Sequence, residues 1–120
     1  MMDEKMIKVW EGEFAVMKSK KEYDRAFANI EDKNELTVII EQDKIDEQDM
    51  IKIEKDWKLI TFNTTLDFNL VGFISKISSA LAEANIPIFV VSSYSTDHLM
   101  VKKDKLNKTL KILKNLEIEI

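Results

Sequence analysis

Residues 66–93, LDFNLVGFISKISSALAEANIPIFVVSS, contain one of the chain's two glycines and its only proline. From Leu70 to Ala84 the apolar residues recur every three or four positions, which predicts an amphipathic helix. Asn85 suits a left-handed helix terminus, and Pro87 prevents the helix from resuming. The segment IFVVSS, residues 88–93, is then predicted to be a strand buried on both faces.

The flanking segments complete the second half of the chain. A strand precedes the predicted helix, a hairpin follows it, and a second helix and a final strand come last. These are WKLITF (57–62), the turn YSTD (94–97), the return strand HLMVKK (98–103), Asp104 capping a helix with Leu106, Leu110, Leu113 and Leu116, and IEI (118–120). The order βαββαβ predicts an α+β, ferredoxin-like fold, in which a four-stranded antiparallel sheet carries both helices on one face.

The first half is predicted to be rich in strands. MIKVW (6–10) and EFAVMK (13–18) are expected to form a hairpin around Glu11 and Gly12, and LTVII (36–40) a third strand. KKEYDRAFANI (20–30) fits either a helix or an extended segment, and the polar residues 31–34 predict a turn.

A charged stretch, residues 41–56, separates the two halves. Its apolar members are Ile45, Met50, Ile51 and Ile53, which predict one short helix lying on the core. We therefore expect a division into residues 1–56 and residues 57–120, with the first half covering the open face of the ferredoxin-like sheet.

Composition excludes several classes of protein. Lysine and arginine total 18 against 22 acidic residues, so the net charge is −4 and a nucleic-acid groove is disfavoured. With no cysteine, the chain forms no disulfide, thiolate zinc site or thiol nucleophile. MMDEKMIK lacks the apolar stretch of a signal peptide and IPIFVV is too short to span a bilayer, so we expect a cytoplasmic protein without a membrane partner.

Gly72 lies where the first helix of the second half is predicted to start. Free N–H groups there carry a partial positive charge, which attracts a carboxylate. A residue without a side chain allows close approach either of a ligand or of a neighbouring backbone, and the sequence leaves both interpretations open. Asn69 or Asp67 is a candidate cap of the helix.

The segment SSYSTDH, residues 92–98, is a second polar cluster between apolar strands. A hairpin turn is the simpler interpretation, whereas the functional one makes Asp97 a receptor for a cationic or polar group. His98 is the only histidine, so a partly buried strand residue is expected rather than a metal ligand. No phosphate loop and no histidine, carboxylate and serine set is present, so we expect no enzyme, no cofactor and no metal.

Three stretches together resemble the ACT domain family, and within it the small tandem ACT-like proteins related to CASTOR-type arginine sensors and aspartokinase regulatory domains. They are LDFNLVGFISKISSALAEANIPIF, SSYSTDHLMVKKDKL, and FAVMKS with NELTVIIEQ. The insert KSKKEYDRAFANIEDK departs from the family pattern. The resemblance implies an ACT domain at residues 57–120 and a degenerate ACT-like half at residues 1–56.

The resemblance also implies a regulatory homodimer that binds a small molecule, typically an amino acid, where ACT units meet. Family ligands contact the loop entering the first helix and the end of the second strand. At matching positions of this chain these are Phe68, Asn69, Leu70, Val71 and Gly72, and then Val91, Ser92, Ser93, Tyr94, Thr96 and Asp97. In the arginine sensors an aspartate placed like Asp97 meets the ligand's cationic group; here Ser95 and Thr96 precede it. A module that pairs with other proteins and binds no ligand is the alternative.

Overall fold

The computed structural model describes residues 7–63 and 72–116. Within these ranges the chain forms seven strands and two α-helices, linked by short 3-10 turns. The strands are β1 (Ile7–Val9), β2 (Phe14–Ser19), β3 (Ala28–Glu31), β4 (Leu36–Glu41), β5 (Met50–Phe62), β6 (Phe89–Ser92) and β7 (Asp97–Lys102). The helices are α1 (Phe73–Glu83) and α2 (Leu106–Asn115), and the 3-10 turns are Gln42–Lys44, Glu47–Asp49 and Lys103–Lys105.

The chain folds into two compact units. The first, Glu11–Trp57, is called the 11–57 unit; the second combines residues 7–10 with residues 58–116 and is called the 58–116 unit. Strand β5 begins in one and ends in the other. The expected division into residues 1–56 and 57–120 differs from these units at the N-terminal segment, because β1 pairs with the end of β5.

The predicted hairpin between the first two strands is wrong. β1 pairs antiparallel with the end of β5, Ile7 opposite Phe62, whereas β2 pairs antiparallel with its beginning, Phe14 opposite Trp57. Two strands that are both antiparallel to β5 run in the same direction and cannot form a hairpin with each other. Gly12, with a φ of +80°, lies in the connection between them.

The 11–57 unit is built on four antiparallel strands in the order β3, β4, β2, β5. Its core centres on Met17, Val38 and Ile40. The prediction of one helix in the charged stretch is wrong: two 3-10 turns precede β5, and the Asp46 side chain accepts a hydrogen bond from the Gln48 amide at the start of the second. Three of the four predicted anchors pack on the core, while Ile51 is 49% exposed. The register of β5 against β2 shifts between Lys18 and Ser19, opposite Ile51, so regular alternation does not hold there.

The segment whose conformation the sequence left open is extended where it forms β3. Before β3, the Tyr23 hydroxyl donates a 2.7 Å hydrogen bond to the Asp49 carboxylate and accepts one of 3.0 Å from the Asp46 amide. The predicted polar turn follows β3, and there the Asp32 carboxylate accepts N–H groups of the next residues. The Tyr23 contacts therefore tie the loop before β3 to the second 3-10 turn.

In the 58–116 unit the strand order is β1, β5, β7, β6, with β7 between β5 and β6. Both helices share one hydrophobic core with β5 and β7. Its buried members are Ile7, Ile60, Phe62, Ile77, Leu81, Ile86, Leu99, Val101 and Leu113. This confirms the predicted α+β, ferredoxin-like fold, and the predicted last strand, residues 118–120, lies outside the described residues.

Helix α1 keeps its predicted face and its predicted end. Ile77 and Leu81 are buried, and the ring of Phe73 meets Phe62 edge-on at 5.3 Å between centroids. Asn85 has a φ of +59°, as expected of a left-handed helix terminator. The helix is therefore anchored at its start against the end of β5.

Two further expectations for this unit are wrong. IFVVSS is not buried on both faces: β6 is the last strand in the order and Val90 is 36% exposed. Asp104 does not cap the second helix, because it lies within a 3-10 turn and α2 begins at Leu106 without a side-chain cap. The predicted leucine stripe is confirmed, since Leu113 is buried and the other three leucines pack on the core.

Candidate functional site

The topology of the 58–116 unit brings the start of α1 and the turn between β6 and β7 to the same end of the sheet. β5 and β6 are not neighbours, because β7 lies between them and pairs antiparallel with β6. The connection from β5 through α1 to β6 is therefore a crossover, and β6 runs in the same direction as β5. The end of β5, Gly72 and the turn at Ser93–Thr96 therefore share that end, which we call the turn end.

Gly72 stands immediately before α1 with a φ of +88° and a ψ of 4°. This left-handed conformation is one that glycine adopts without the steric cost of a Cβ. A Cβ built on Gly72 would meet no atom of the described residues within 4 Å, so no described neighbouring backbone packs tightly against it. The glycine serves the backbone turn into the helix.

The remaining predicted residues of this loop, Phe68, Asn69, Leu70 and Val71, lie outside the described residues, as does the candidate cap Asp67. The site residues predicted around the end of the second strand all lie on the β6–β7 hairpin. They are Val91 and Ser92 at the end of β6, Ser93, Tyr94 and Thr96 in the turn, and Asp97 at the start of β7. The structure thus brings these six together at the turn end.

The sequence placed Asp97 in the turn, but in the structure it is the first residue of β7. It pairs with Ser92 across the hairpin, and the Ser92 hydroxyl donates a 2.6 Å hydrogen bond to the Asp97 Oδ1. Hydrogen bonds to a charged group are stronger than those between neutral groups, so this contact orients the carboxylate. No lysine or arginine of the described ranges forms an ion pair with Asp97.

The turn itself is closed by backbone and hydroxyl contacts. The Ser93 amide donates to the Thr96 carbonyl at 2.8 Å, and the Ser93 hydroxyl donates to the same carbonyl at 3.1 Å. The Ser93 and Thr96 hydroxyls lie 2.7 Å apart. Tyr94, at the tip, is 84% exposed. The turn therefore presents an ordered pair of hydroxyls next to an exposed aromatic ring.

His98 connects this turn to the neighbouring strand. Its Nε2 lies 3.0 Å from the Thr96 hydroxyl and 3.3 Å from the Ser93 hydroxyl, and its Nδ1 lies 2.8 Å from the Thr61 hydroxyl on β5. Thr61 in turn accepts a 2.8 Å hydrogen bond from the Trp10 indole. We call Trp10, Thr61, His98, Thr96 and Ser93 the His98 network.

His98 lies on a strand, as expected, but at 8% exposure it is more deeply buried than the partly buried residue that the sequence predicted. Burial lowers its pKa from the ordinary value, and the adjacent Asp97 charge opposes that shift without cancelling it. The imidazole is therefore held in its neutral form. Each ring nitrogen has a hydroxyl partner.

No sequence pattern pointed to two members of the network. Thr61 and Trp10 lie 51 residues apart and meet only because β1 pairs with the end of β5, with Lys8 opposite Thr61. The Lys8 ammonium lies 4.0 Å from the centre of the Trp10 ring, a cation–π contact that holds the indole in place.

Surface clefts of the 11–57 unit include one of about 270 Å³, whose lining contains Ile45, Met50 and Ile53, and one of about 510 Å³, which is lined mainly by carboxylates. In the ranges that the structure describes, no three histidine or carboxylate side chains are grouped to hold a metal ion. Over the same residues, neither helix is long and apolar enough to cross a membrane.

A sequence profile described as ACT domain matches residues 52–115, more than half of the chain. The chain therefore belongs to the ACT domain family, as its resemblance implied. Domains of this kind are in general regulatory and bind small ligands. The match includes the whole β6–β7 hairpin and Gly72.

Solved structures with the same fold include two small proteins. A protein from Agrobacterium tumefaciens superimposes with a TM-score of 0.78 at 26% sequence identity, covering 91% of this chain and 86% of the other. A Vibrio cholerae protein of unknown function, described as a possible transport protein, gives 0.75 at 21% identity, covering 90% of this chain and 86% of the other. Nearly the whole described fold is thus shared with chains of similar size.

Aspartate kinase shares the fold as well. The allosteric Clostridium acetobutylicum enzyme matches with a TM-score of 0.72 at 17% identity, covering 91% of this chain but 33% of the enzyme. A putative C-terminal regulatory domain of aspartate kinase from Porphyromonas gingivalis matches with 0.60 at 17% identity, covering 91% of this chain and 94% of that domain. This chain has the extent of the regulatory domain and spans about a third of the whole enzyme.

Proposed function

We propose that the protein is a non-catalytic regulatory protein that binds an amino acid at the turn end, where two ACT units meet. The observation that carries the proposal is the Asp97 carboxylate, oriented by Ser92 and without a lysine or arginine partner among the described residues. It shares the turn end with the start of α1, where no atom of the described residues lies within 4 Å of a Cβ built on Gly72. A carboxylate attracts a cation and a helix N-terminus attracts an anion, so the two together suit a ligand that carries one positive and one negative group.

Each part of an amino acid then has a matching group. The N–H groups that begin α1 would hold the α-carboxylate, since helix N-termini bind anions. Asp97 would receive the α-amino group or a side-chain cation in a charge-assisted hydrogen bond. The hydroxyls of Ser92 and Ser93 supply further acceptors. Phe68, Asn69, Leu70 and Val71, from the loop before α1, complete the proposed set.

A second copy of the chain would close the site. Ser92, Ser93 and Tyr94 are exposed in the single chain, and covering them would exclude water from a charged contact and so strengthen it. A ligand that binds one arrangement of the two copies better than another would shift their equilibrium, which is how binding becomes a signal. The homodimer and the cytoplasmic location both stay predictions.

A thermal-shift screen against the twenty amino acids tests the proposal. A ligand that binds only the folded state raises the melting temperature as its concentration rises. The same screen on Asp97→Asn, which removes the charge and keeps the shape, should abolish the shift. A wild-type shift that survives unchanged in Asp97→Asn would place the ligand elsewhere, with the 270 Å³ cleft of the 11–57 unit as the next candidate.

A ligand-free interaction module is the second candidate, and β6 favours it. This strand ends the order of the described strands, and its own Val90 is 36% exposed. An exposed strand edge can pair with another chain through its backbone. If no amino acid shifts the melting temperature and sedimentation shows a dimer that Val90→Lys dissociates, the module is the better description.

A further inference from the structure

The His98 network has one arrangement of hydrogens that gives every polar hydrogen in it an acceptor. The Trp10 indole can only donate, so Thr61 accepts from it and has its own hydroxyl hydrogen left to give to His98 Nδ1. The ring proton then lies on Nε2 and is donated to the Thr96 hydroxyl. Thr96 donates to the Ser93 hydroxyl, which donates to the Thr96 carbonyl.

This arrangement runs in one direction from the indole to the turn, so each hydrogen bond polarises the next. In the opposite tautomer the ring proton lies on Nδ1. Thr61 would then accept the N–H groups of both Trp10 and His98, and its own hydroxyl hydrogen would point away from the network. A protonated imidazole creates the same conflict at Thr61, because Nδ1 then also donates to a hydroxyl that already accepts from the Trp10 indole, while the donation from Nε2 to Thr96 is kept. The network therefore accommodates a neutral ring and resists a charged one.

We propose that His98 is a positioning residue for the ligand site: its neutral imidazole joins the Ser93 and Thr96 hydroxyls to Thr61 on β5 in the arrangement that binds the ligand, and protonation at Nδ1 breaks the contact with Thr61 and so detaches the ring, together with the turn, from β5. The ligand half of this proposal rests on the function proposed above. His98 acts through the turn and not by touching the ligand. Binding at the turn end thereby depends on the protonation state of a residue behind it.

The charged groups around His98 in this unit are few. On its own strand, Asp97 favours the protonated ring. On β1, Lys8 is on the same side of the sheet as Thr61 and opposes protonation, while on β5 Lys58 falls on the alternate side. β6 carries no titratable residue, and in the turn Tyr94 has the only one. Burial opposes the charged ring too, and its pKa is lowered as a result.

Nuclear magnetic resonance of the unmodified protein tests the positioning role without any ligand. His98 is the only histidine, so the ring nitrogens of ¹⁵N-labelled protein are assigned at once. We expect the neutral ring to carry its proton on Nε2. The Ser93 and Thr96 amides and the Trp10 indole should shift with the same midpoint as the ring. A proton on Nδ1, or turn amides that stay still while the ring titrates, would overturn the proposal.

Calorimetric titration with L-arginine and L-alanine at about pH 7.5 and at a lower pH, below the midpoint that the resonance experiment gives for the His98 ring, tests the ligand half. The wild type should bind about tenfold more weakly at the lower pH, the equivalent of one hydrogen bond. His98→Gln, which keeps a donor and an acceptor, should bind at both pH values alike, while His98→Leu should bind weakly at both. An equal pH effect in wild type and His98→Gln refutes the role. If neither amino acid binds at either pH, the proposed function fails for these ligands, and the resonance experiment still decides the positioning role.

Discussion

Ser92 and Asp97 face each other on the last rung of the β6–β7 hairpin, and the serine hydroxyl holds the carboxylate at 2.6 Å. The contact lies between the end of one strand and the start of the next, so its geometry follows from strand register and not from a flexible loop. It leaves the second carboxylate oxygen without a hydrogen bond from Ser92. That oxygen is the natural partner for a ligand cation.

Asp97→Asn should weaken amino-acid binding with little effect on stability. Hydrogen bonds to charged groups contribute about 1.5 to 3 kcal/mol, so the dissociation constant should rise roughly 10- to 100-fold. Calorimetry measures the affinity and thermal unfolding measures the stability. Asp24→Asn, on the surface of the 11–57 unit, is the control for net charge and should bind like the wild type. Equal losses in the two variants would contradict a role for Asp97.

Gly72→Ala should destabilise the fold through the backbone alone. A Cβ would meet no atom of the described residues within 4 Å, but a φ of +88° costs an L-residue about 1 to 2 kcal/mol. Denaturant unfolding measures the change. Gly12→Ala is a matched control, since Gly12 has a φ of +80° and equally open surroundings.

The two glycine variants should lose similar stability, and only Gly72→Ala should lose ligand affinity. Gly72→Asn should recover much of the stability, because asparagine tolerates the left-handed region better than alanine does. An affinity loss of the same size in Gly12→Ala would mean that instability, and not the site, is responsible.

Thr109→Val should stabilise the protein. Thr109 is fully buried in α2, and its hydroxyl has no hydrogen-bond partner among the residues that the structure describes. Removing a buried, unsatisfied hydroxyl without changing the side-chain shape should add about 1 kcal/mol to the free energy of unfolding. Thr61→Val, the same exchange within the His98 network, should destabilise instead, because it leaves the Trp10 indole and His98 Nδ1 without their partner. Denaturant unfolding of both variants gives the comparison, and equal signs would contradict it.

The free energy of unfolding should fall as the pH falls below about 6.5, the pKa of histidine in an unfolded chain. The folded pKa of His98 is lower, so between the two values the unfolded chain binds more protons and gains relative to the folded one. Above the histidine pKa of the unfolded chain the ring is neutral in both states, so the contribution of His98 to the free energy of unfolding no longer changes with pH. Urea unfolding between about pH 7.5 and 5 measures it. His98→Gln should lack this component and keep the one due to carboxylates.

Tyr23→Phe should loosen the loop before β3. The variant removes the hydrogen bonds of the hydroxyl to Asp49 and to the Asp46 amide, each of which contributes about 0.5 to 1.5 kcal/mol. The raised pKa of Tyr23, due first to burial and then to its hydrogen bond with Asp49, means that this stabilisation is present below pH 10 and is lost as the hydroxyl ionises above it. Hydrogen exchange of the Asp46 amide reports the change. Tyr94→Phe, whose ring is at the exposed tip of the hairpin, should leave that amide unaffected.

Local patterns in the sequence predicted much of the 58–116 unit. The spacing of Ile77 and Leu81 gave the buried face of α1, and Asn85 gave its end, because both depend on residues within one or two turns. The prediction that Asp104 caps the second helix was wrong, because a capping residue in the sequence precedes a 3-10 turn as readily as the first turn of an α-helix.

The sequence alone determined the buried faces of α1 and α2, which half carries the ACT pattern and which residues gather on the β6–β7 hairpin. Only the tertiary structure decided that β1 lies beside the end of β5, and this pairing brings Trp10 to Thr61 and completes the His98 network. The reason is physical. Apolar spacing and turn chemistry depend on residues close together in the sequence, whereas strands pair through backbone hydrogen bonds, which form with almost any side chain and between distant segments. Which strand pairs with which is therefore settled by the packing of the whole chain.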